Sequence, residues 1–138
     1  MSSAPAWCVD TSVAIAALDP SHDGHADARD VCRRRRPALA GHATFETLSV
    51  LTRLPGGARV DMATAVELLG RAFPERCFLS AAQHRSLVAR LPELQSVGGM
   101  VYDALVAEAA RVAGRVLLTR DRRAVPTYAA IGVAFELV

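Results

Sequence analysis

The feature that most constrains the fold is a regular alternation between short apolar runs and longer stretches of helical periodicity. The apolar runs at residues 7–9, 38–40, 77–79, 115–119 and 133–135 have the length of strands, and most segments between them repeat apolar residues at helical spacing. Strands that alternate with helices favour a parallel sheet covered by helices on both faces. We therefore predict a three-layer α/β/α fold with a central parallel sheet of about four to five strands.

Helices are predicted in the intervening segments, beginning near residues 12, 21 and 43 and covering residues 61–72, 80–91 and 100–112. Proline and glycine mark the ends of several of them, at Pro37, Pro55, Pro92 and Gly98. The segment 100–112 is apolar almost all round, which predicts a central position. Because no linker, repeat or low-complexity tract interrupts the series, residues 1–138 are predicted to form a single domain.

Composition limits the kind of protein that this chain can be. With 51% hydrophobic and 22% charged residues, its 138 residues can bury one core and are too apolar for a disordered chain. The first residues, MSSAPAW, lack the features of a signal peptide, and no apolar run approaches the roughly 20 residues of a membrane span. A cytoplasmic protein without a membrane partner is therefore expected. Cys8, Cys32 and Cys77 are widely spaced and odd in number, which favours reduced thiols.

The basic residues exclude some chemistry. All 16 residues in the combined lysine and arginine count are arginines, and the net charge of +2 is too mild to indicate a nucleic-acid partner by itself. Two other classes of doubly wound protein place an aspartate after the first strand: phospho-acceptor receivers and aspartate-nucleophile phosphatases. Both use a lysine near the phosphate, so the absence of lysine argues against them. The phosphatase pattern of two aspartates separated by one residue is also missing.

Two aspartates follow predicted strands. Asp10 comes directly after the first strand, and Asp121 comes after the strand at 115–119. In an open α/β sheet the ligand crevice lies beyond the carboxyl ends of the strands, where strand order reverses. If these two strands are neighbours, both carboxylates lie in one crevice. Either aspartate could instead cap the helical turn that follows it.

Glu46 and Asp103 are helical acids with partly apolar surroundings. Glu46 has Ala43 and Val50 about one turn to either side, which indicates a border between core and cleft, although a helical glutamate is more often solvated. Asp103 is surrounded by the apolar residues of segment 100–107, and burying an unpaired carboxylate is costly. We favour metal ligation for Asp103, and an ion pair with an arginine is the alternative.

Taken together, the four acids suit a hard divalent cation. Carboxylate oxygens are the ligands that Mg²⁺ and Mn²⁺ require. Such ions orient a phosphodiester, lower the pKa of an attacking water and neutralise the leaving oxygen, so that no side chain has to act as the nucleophile. The candidate catalytic and metal-binding residues are therefore Asp10, Glu46, Asp103 and Asp121.

Four segments carry a family resemblance that covers nearly the whole chain. They are VDTSV with Asp10, TFETLSVLTRL with Glu46, VYDALVAEAARVAG with Asp103 and VLLTRDRRA with Asp121. In this order they resemble the PIN-domain ribonucleases, specifically the VapC-type toxins of bacterial toxin-antitoxin systems. The ordered set is specific, and no departure from it would disable the site.

The resemblance implies a metal-dependent endoribonuclease whose four acids hold Mg²⁺ or Mn²⁺ and whose product carries a 5′-phosphate. It implies that the hydroxyl of Ser12, or of its neighbour Thr11, supports Asp10, with Thr119 as a further supporting residue. It also implies an RNA substrate, a homodimer, and inhibition by a VapB-type antitoxin in a hetero-oligomer. The alternative is a catalytically silent PIN-like module that binds RNA or protein.

Two groups of arginines are open to two interpretations. The run at residues 33–36 could contact RNA phosphates, or it could complement the dipole of the helix that it ends. Arg120, Arg122 and Arg123 flank Asp121, which makes them candidates for holding the substrate. Ordinary surface ion pairs are the alternative for these three.

Two further segments suggest a ligand or a partner. A set of histidines and aspartates resembles a transition-metal cluster, although a solvated helix start is the favoured interpretation: His22, Asp23, His25 and Asp27. The helices near 46–54 and 61–72 are joined by the tight turn that contains Pro55. Two helices joined in this way leave a groove between them, which we predict binds a partner peptide whose arginine reaches the acids.

Overall fold

A computed structural model describes residues 5–138 and contains a five-stranded parallel sheet. Its strands are β1 (Trp7–Val9), β2 (Ala38–Ala40), β3 (Arg76–Cys77), β4 (Val116–Thr119) and β5 (Phe135–Leu137). The order in the sheet is β3-β2-β1-β4-β5. The chain moves outward from β1 to β3 and then returns to β4 on the other side of β1. The carboxyl ends of β1 and β4 therefore meet at the position where an open α/β sheet forms its ligand crevice.

Helices cover both faces of this sheet. Within the described residues they are α1 (Thr11–Leu18), α2 (His25–Arg35), α3 (Gly41–Leu51), α4 (Met62–Ala72), α5 (Ala81–Leu94), α6 (Met100–Val112) and α7 (Val125–Ile131). Helix α1 packs against α2, α3 and α4, and α6 packs against α5 and α7. Right-handed crossovers place these two groups on opposite faces. The predicted three-layer α/β/α fold with a parallel sheet is confirmed.

The core forms because the central strands are apolar on both faces. Cys8, Val9, Leu39, Leu117 and Leu118 are fully buried, as expected for parallel strands between two helical layers. Alanines dominate the buried faces of α1 and α6, so these helices approach the sheet closely and leave no room for larger side chains. Helix α6 also contacts α3, β2 and β4, in agreement with its predicted central position.

The structure corrects several predicted boundaries. Helix α2 begins at His25 rather than near residue 21, because Asp19 accepts hydrogen bonds from the backbone and hydroxyl of Ser21 and holds a turn there. Helix α5 does not end before Pro92 but continues to Leu94. Proline removes one helical hydrogen bond, and the carbonyl that loses its donor belongs to Val88, which is exposed and open to water.

Strands β3 and β5 are also displaced from their predicted positions, which were 77–79 and 133–135. The first four residues, on which the absence of a signal peptide partly rested, lie outside the described residues. No helix within residues 5–138 is long and apolar enough to cross a membrane.

Candidate metal-binding active site

Asp10 is the most tightly held of the four acids. It follows β1 and begins α1, where its Oδ1 accepts hydrogen bonds from the Val13 backbone (3.2 Å) and the Ser12 hydroxyl (2.6 Å). Its Oδ2 accepts from the hydroxyls of Thr119 (2.5 Å) and Tyr128 (2.7 Å). The side chain therefore caps α1 and is also surrounded by three hydroxyl donors. A role as helix cap and a position in the crevice do not exclude each other.

Two of these hydroxyls tie Asp10 to the turn after β4. Ser12 Oγ accepts a hydrogen bond from the Arg120 backbone (2.8 Å), and Thr119 Oγ1 accepts one from the Asp121 backbone (3.0 Å). Each hydroxyl thus accepts a hydrogen bond from a backbone amide and donates one to Asp10. The turns that follow β1 and β4 are locked together, which brings Asp10 and Asp121 to the same crevice.

Asp121 begins the short 3-10 helix Arg122–Ala124, and its Oδ1 accepts from the Arg123 backbone at 3.0 Å. Glu46 lies on α3 beside His42, whose Nε2 is 3.4 Å from Glu46 Oε1. Asp103 lies in the first turn of α6, where the amino end of a helix favours negative charge. Among the described residues no arginine lies within ion-pair distance of Asp103, so the alternative of a salt-bridged Asp103 is not supported.

The other three acids lie close enough to Asp103 to affect its pKa. The pKa of Asp103 is raised to about 6, first by burial and then by the negative charges of Asp121, Glu46 and Asp10. Burial likewise raises the pKa of Asp10, although its hydrogen bonds with Ser12, Thr119 and Tyr128 oppose this effect. The site therefore concentrates negative charge in a partly dehydrated crevice.

This donor set fits a divalent cation. Asp10 is surrounded by neutral hydroxyls rather than by a cationic side chain, so its charge is stabilised but not neutralised. In their present positions no three acidic, histidine or cysteine side chains within residues 5–138 close around a single point. A cation with oxygen ligands would draw the carboxylates of Glu46, Asp103 and Asp121 towards Asp10.

Supporting residues differ in part from those expected. Ser12 and Thr119 contact Asp10, but the buried hydroxyl of Thr11 has no hydrogen-bond partner within the described part of the chain. Tyr128 on α7 was missed. A tyrosine in the apolar segment before the last strand was the available signal, because a buried tyrosine hydroxyl usually needs a partner. Its pKa is raised strongly, by burial and then by Asp10, so it remains a hydrogen-bond donor.

An aromatic stack that the sequence did not reveal joins α3 to α6. The rings of His42 and Tyr102 are parallel within 3° and have centroids 4.8 Å apart. His42 lies one turn before Glu46, and Tyr102 directly precedes Asp103. The stack therefore holds the two helical acids on the same side of the crevice.

The arginines that flank Asp121 have different surroundings. Arg120 turns away, donating to the Val138 backbone oxygen at 3.1 Å and packing against Gly24. Arg123 is almost fully exposed and lies 3.4 Å from Asp121, while Arg122 is exposed. Arg122 and Arg123 are thus exposed beside Asp121, whereas the Arg120 guanidinium is held by the Val138 backbone.

The second candidate metal cluster is not formed. His22 Nδ1 accepts a hydrogen bond from the Gly24 backbone, and the His25 ring contacts the Ala16 carbonyl oxygen. Both rings serve the turn that leads into α2, in line with the favoured interpretation of this segment as a helix start.

Comparison with known proteins identifies the class. The family model of the PIN domain matches residues 7–129, so the chain belongs to the PIN-domain family. Ribonuclease VapC27 of Mycobacterium tuberculosis (strain ATCC 25618 / H37Rv) is 45% identical over 129 residues, which cover 94% of either chain. Ribonuclease VapC40 of Mycobacterium tuberculosis (strain CDC 1551 / Oshkosh) is 42% identical over 130 residues, covering 94% of this chain and 96% of the relative. The resemblance to VapC-type PIN proteins is therefore confirmed.

Proposed function

We propose that this chain is a VapC-type toxin: a single-domain, cytoplasmic endoribonuclease that requires Mg²⁺ or Mn²⁺. The observation that carries the proposal is the cluster of four carboxylates at the sheet's switch point, with Asp10 held by hydroxyl donors and without a cationic partner. The names of the relatives, both ribonucleases aligned over nearly the whole chain, support RNA as the substrate.

Each acid has a distinct part in the proposed mechanism. Asp10 is rigid, so it sets the position of the reacting centre, and the backbone-held hydroxyls of Ser12 and Thr119 keep its oxygens in place. Asp103, Asp121 and Glu46 complete the set of oxygen ligands. When bound, Mg²⁺ or Mn²⁺ would orient the phosphate, acidify the attacking water and neutralise the leaving oxygen. Arg122 and Arg123 are placed to hold neighbouring phosphates.

Cleavage of RNA with Mn²⁺, Mg²⁺ or a chelator tests this function. The variants Asp10→Asn, Glu46→Gln, Asp103→Asn and Asp121→Asn should each lower the cleavage rate at least about a hundredfold, which corresponds to the several kcal/mol that metal catalysis supplies. Asp30→Asn is the matched control, because Asp30 forms only an exposed pair with Arg34. Cleavage that persists in excess chelator, or in all four variants, would contradict the proposal and favour a catalytically silent binding module.

We further propose that the VapB-type antitoxin binds an apolar surface on α3 and α4. Phe45, Met62 and Val66 expose about half of their surface or more, and Met62 and Val66 lie one turn apart on α4. Phe45 directly precedes Glu46, so a partner on this surface would end at the acids. An arginine of the antitoxin could then neutralise them and exclude substrate.

Co-expression with the cognate VapB-type antitoxin should yield a stable, inactive complex. Val66→Ser should weaken that complex and restore cleavage, whereas Val88→Ser, which changes a more exposed valine on α5, should not. Purification of the two proteins as separate species would exclude this partner surface. Light scattering of the toxin alone measures the proposed homodimer.

A further inference from the structure

A second charged surface lies near the amino ends of the strands, at the opposite end of the sheet from the acids. A groove of about 870 Å³ opens between α2 and α4, at the amino ends of β2 and β3. Its apolar floor includes Leu18 and Phe73, and its walls carry Arg29, Arg33, Arg36 and Arg71. The acids lie at the carboxyl ends of the strands, so this groove is separate from the proposed catalytic site.

The charge of the groove is largely uncompensated. Arg29, Arg33 and Arg36 form no ion pair with any residue of the described chain, and Arg71 pairs with the exposed Glu67. The lining also contains Glu75, whose carboxylate forms an exposed ion pair with Arg115 at 2.7 Å. The groove thus presents four cations and one anion that is already paired with a cation outside the groove.

The four consecutive arginines at residues 33–36 have two kinds of surroundings. Arg34 pairs with Asp30 on its own helix, and Arg35 pairs with Glu136 while its guanidinium stacks over the Trp7 ring. Arg33 and Arg36 instead line the groove. All four arginines lie near the carboxyl end of α2, where any of them could compensate the helix dipole. The dipole therefore does not explain why Arg33 and Arg36 lie beside Arg29 and Arg71 in the groove.

The backbone at Arg36 allows a test that separates binding from folding. Arg36 ends α2 in the left-handed region, with φ 46° and ψ 57°. Glycine usually occupies such a position because a side chain there costs about 1 kcal/mol or more. An arginine in this place stores strain that glycine would relieve, and Gln95 ends α5 in the same conformation.

Helix α2 connects the groove to the acids. Near its first residue the guanidinium of Arg120, the residue before Asp121, packs against Gly24. From there Arg29, Arg33 and Arg36 follow at helical spacing on one face, over a helix of 11 residues that spans about 16 Å. Asp23 and Asp27 precede these arginines at the start of α2, so the positive charge begins at Arg29 and is concentrated at the groove.

We infer that this arginine-lined groove binds the backbone phosphates of the RNA substrate at a distance from the scissile bond. The inference rests on the proposed ribonuclease function, which supplies a polyanion long enough to extend from the acids along α2 to the groove. Guanidinium groups bind phosphates in a sequence-independent manner, and these contacts position a nucleic acid rather than read its bases. An RNA long enough to follow α2 gains affinity from the groove, and a short oligonucleotide gains none.

The test compares Arg33→Gln/Arg36→Gly with a control of equal charge, Arg34→Gln/Arg85→Gln, using a short oligonucleotide and a long structured RNA with Mn²⁺. In the groove variant KM for the long RNA should rise, while kcat and KM for the short one remain unchanged. The slope of log affinity against log salt should fall by about 0.7 for each arginine removed. Arg36→Gly alone should melt at or above the wild-type temperature while binding the long RNA more weakly, which separates recognition from folding.

The outcomes separate this inference from the proposed function. Binding of the long RNA is also measured in chelator, with the same variants. If the wild type proves inactive, the ribonuclease proposal is contradicted, and this binding measurement still tests the groove. If the groove variant and the control bind the long RNA equally, the inference is wrong. Loss of antitoxin binding with unchanged RNA affinity would also overturn it, because it would assign the groove to an acidic protein segment.

Discussion

At the scale of single residues, the site depends on how Asp10 is oriented. Four donors bind its two oxygens, and the Tyr128 hydroxyl comes from α7, far along the chain. Such donors fix the orientation of a carboxylate and therefore the direction from which a cation can approach it. Tyr128 is therefore a positioning residue that acts through Asp10.

Tyr128→Phe keeps the ring in place beside Phe135 and removes this one donor. We expect the Mn²⁺ concentration for half-maximal cleavage to rise about 10- to 100-fold, the usual effect of losing a partner behind a metal ligand, with little change in KM for RNA. Thr11→Val is the matched control, since its buried hydroxyl has no partner among the described residues. An unchanged metal dependence in Tyr128→Phe would show that the tyrosine serves only packing.

Asp103 makes stability depend on pH. Its pKa of about 6 in the folded protein lies above the ordinary value of 3.8, so the folded state binds more protons than the unfolded state between these values. Without metal, stability should therefore fall as pH rises from about 4 to about 6. The raised pKa of Asp10 acts in the same direction. Denaturant titrations in chelator measure the free energy of unfolding between pH 4 and pH 6. Its fall over this range should be smaller for Asp103→Asn than for wild type, and an identical fall would contradict the raised pKa of Asp103.

At the scale of elements, α5 and α6 are joined by an ion-pair network that the sequence did not reveal. Glu108 on α6 is buried, with a side chain only 5% exposed, and it binds Arg90 of α5 at 3.1 Å. Arg111 of α6 adds hydrogen bonds to both oxygens of Glu108, at 2.5 and 3.1 Å. Because the carboxylate is buried and held by two cations, its loss should affect the docking of α5.

Glu108→Gln should lower the free energy of unfolding by about 1.5–3 kcal/mol, the range for hydrogen bonds to charged groups. The partly exposed arginines can regain water, which keeps the loss below that of a fully buried pair. Glu67→Gln is the comparison, because the exposed pair of Glu67 and Arg71 should contribute at most about 1 kcal/mol. Equal losses in urea unfolding of the two variants would mean that Glu108 does not link the helices.

For the whole molecule, the cluster of acids couples metal binding to stability. Mn²⁺ that binds the folded state alone should raise the free energy of unfolding by about 2.7 kcal/mol at a hundredfold excess over its dissociation constant. Asp121→Asn should melt at or above wild type in chelator, since one repulsive charge is gone, and should lose most of the response to Mn²⁺. Thermal melts with and without Mn²⁺ measure both effects. A large loss of stability that is independent of metal would instead indicate that the carboxylate has a structural role.

The predictable part of the structure was local. The apolar runs at 7–9 and 38–40 and the helix at 100–112 matched the structure closely, because side-chain period and strand length are properties of short segments. The four acids could be singled out because a carboxylate after a buried strand, or within an apolar helix, is costly without a ligand. Two predicted helix boundaries were wrong. Helix α5 continues past Pro92 on the exposed side of the protein, and α2 begins after Ser21 because Asp19 holds a turn there.

Sequence alone thus determined the α/β class, the order of its elements and the identity of the candidate acids. Tertiary structure decided the rest, because it depends on contacts between segments far apart in the chain. The Tyr128 hydroxyl donates to Asp10, which lies 118 positions earlier in the sequence. Arg35, one of the four consecutive arginines, pairs with Glu136 near the end of the chain. Which hydroxyl supports Asp10, and which arginines face a groove, follow from how helices pack on the sheet, and no local pattern encodes that packing.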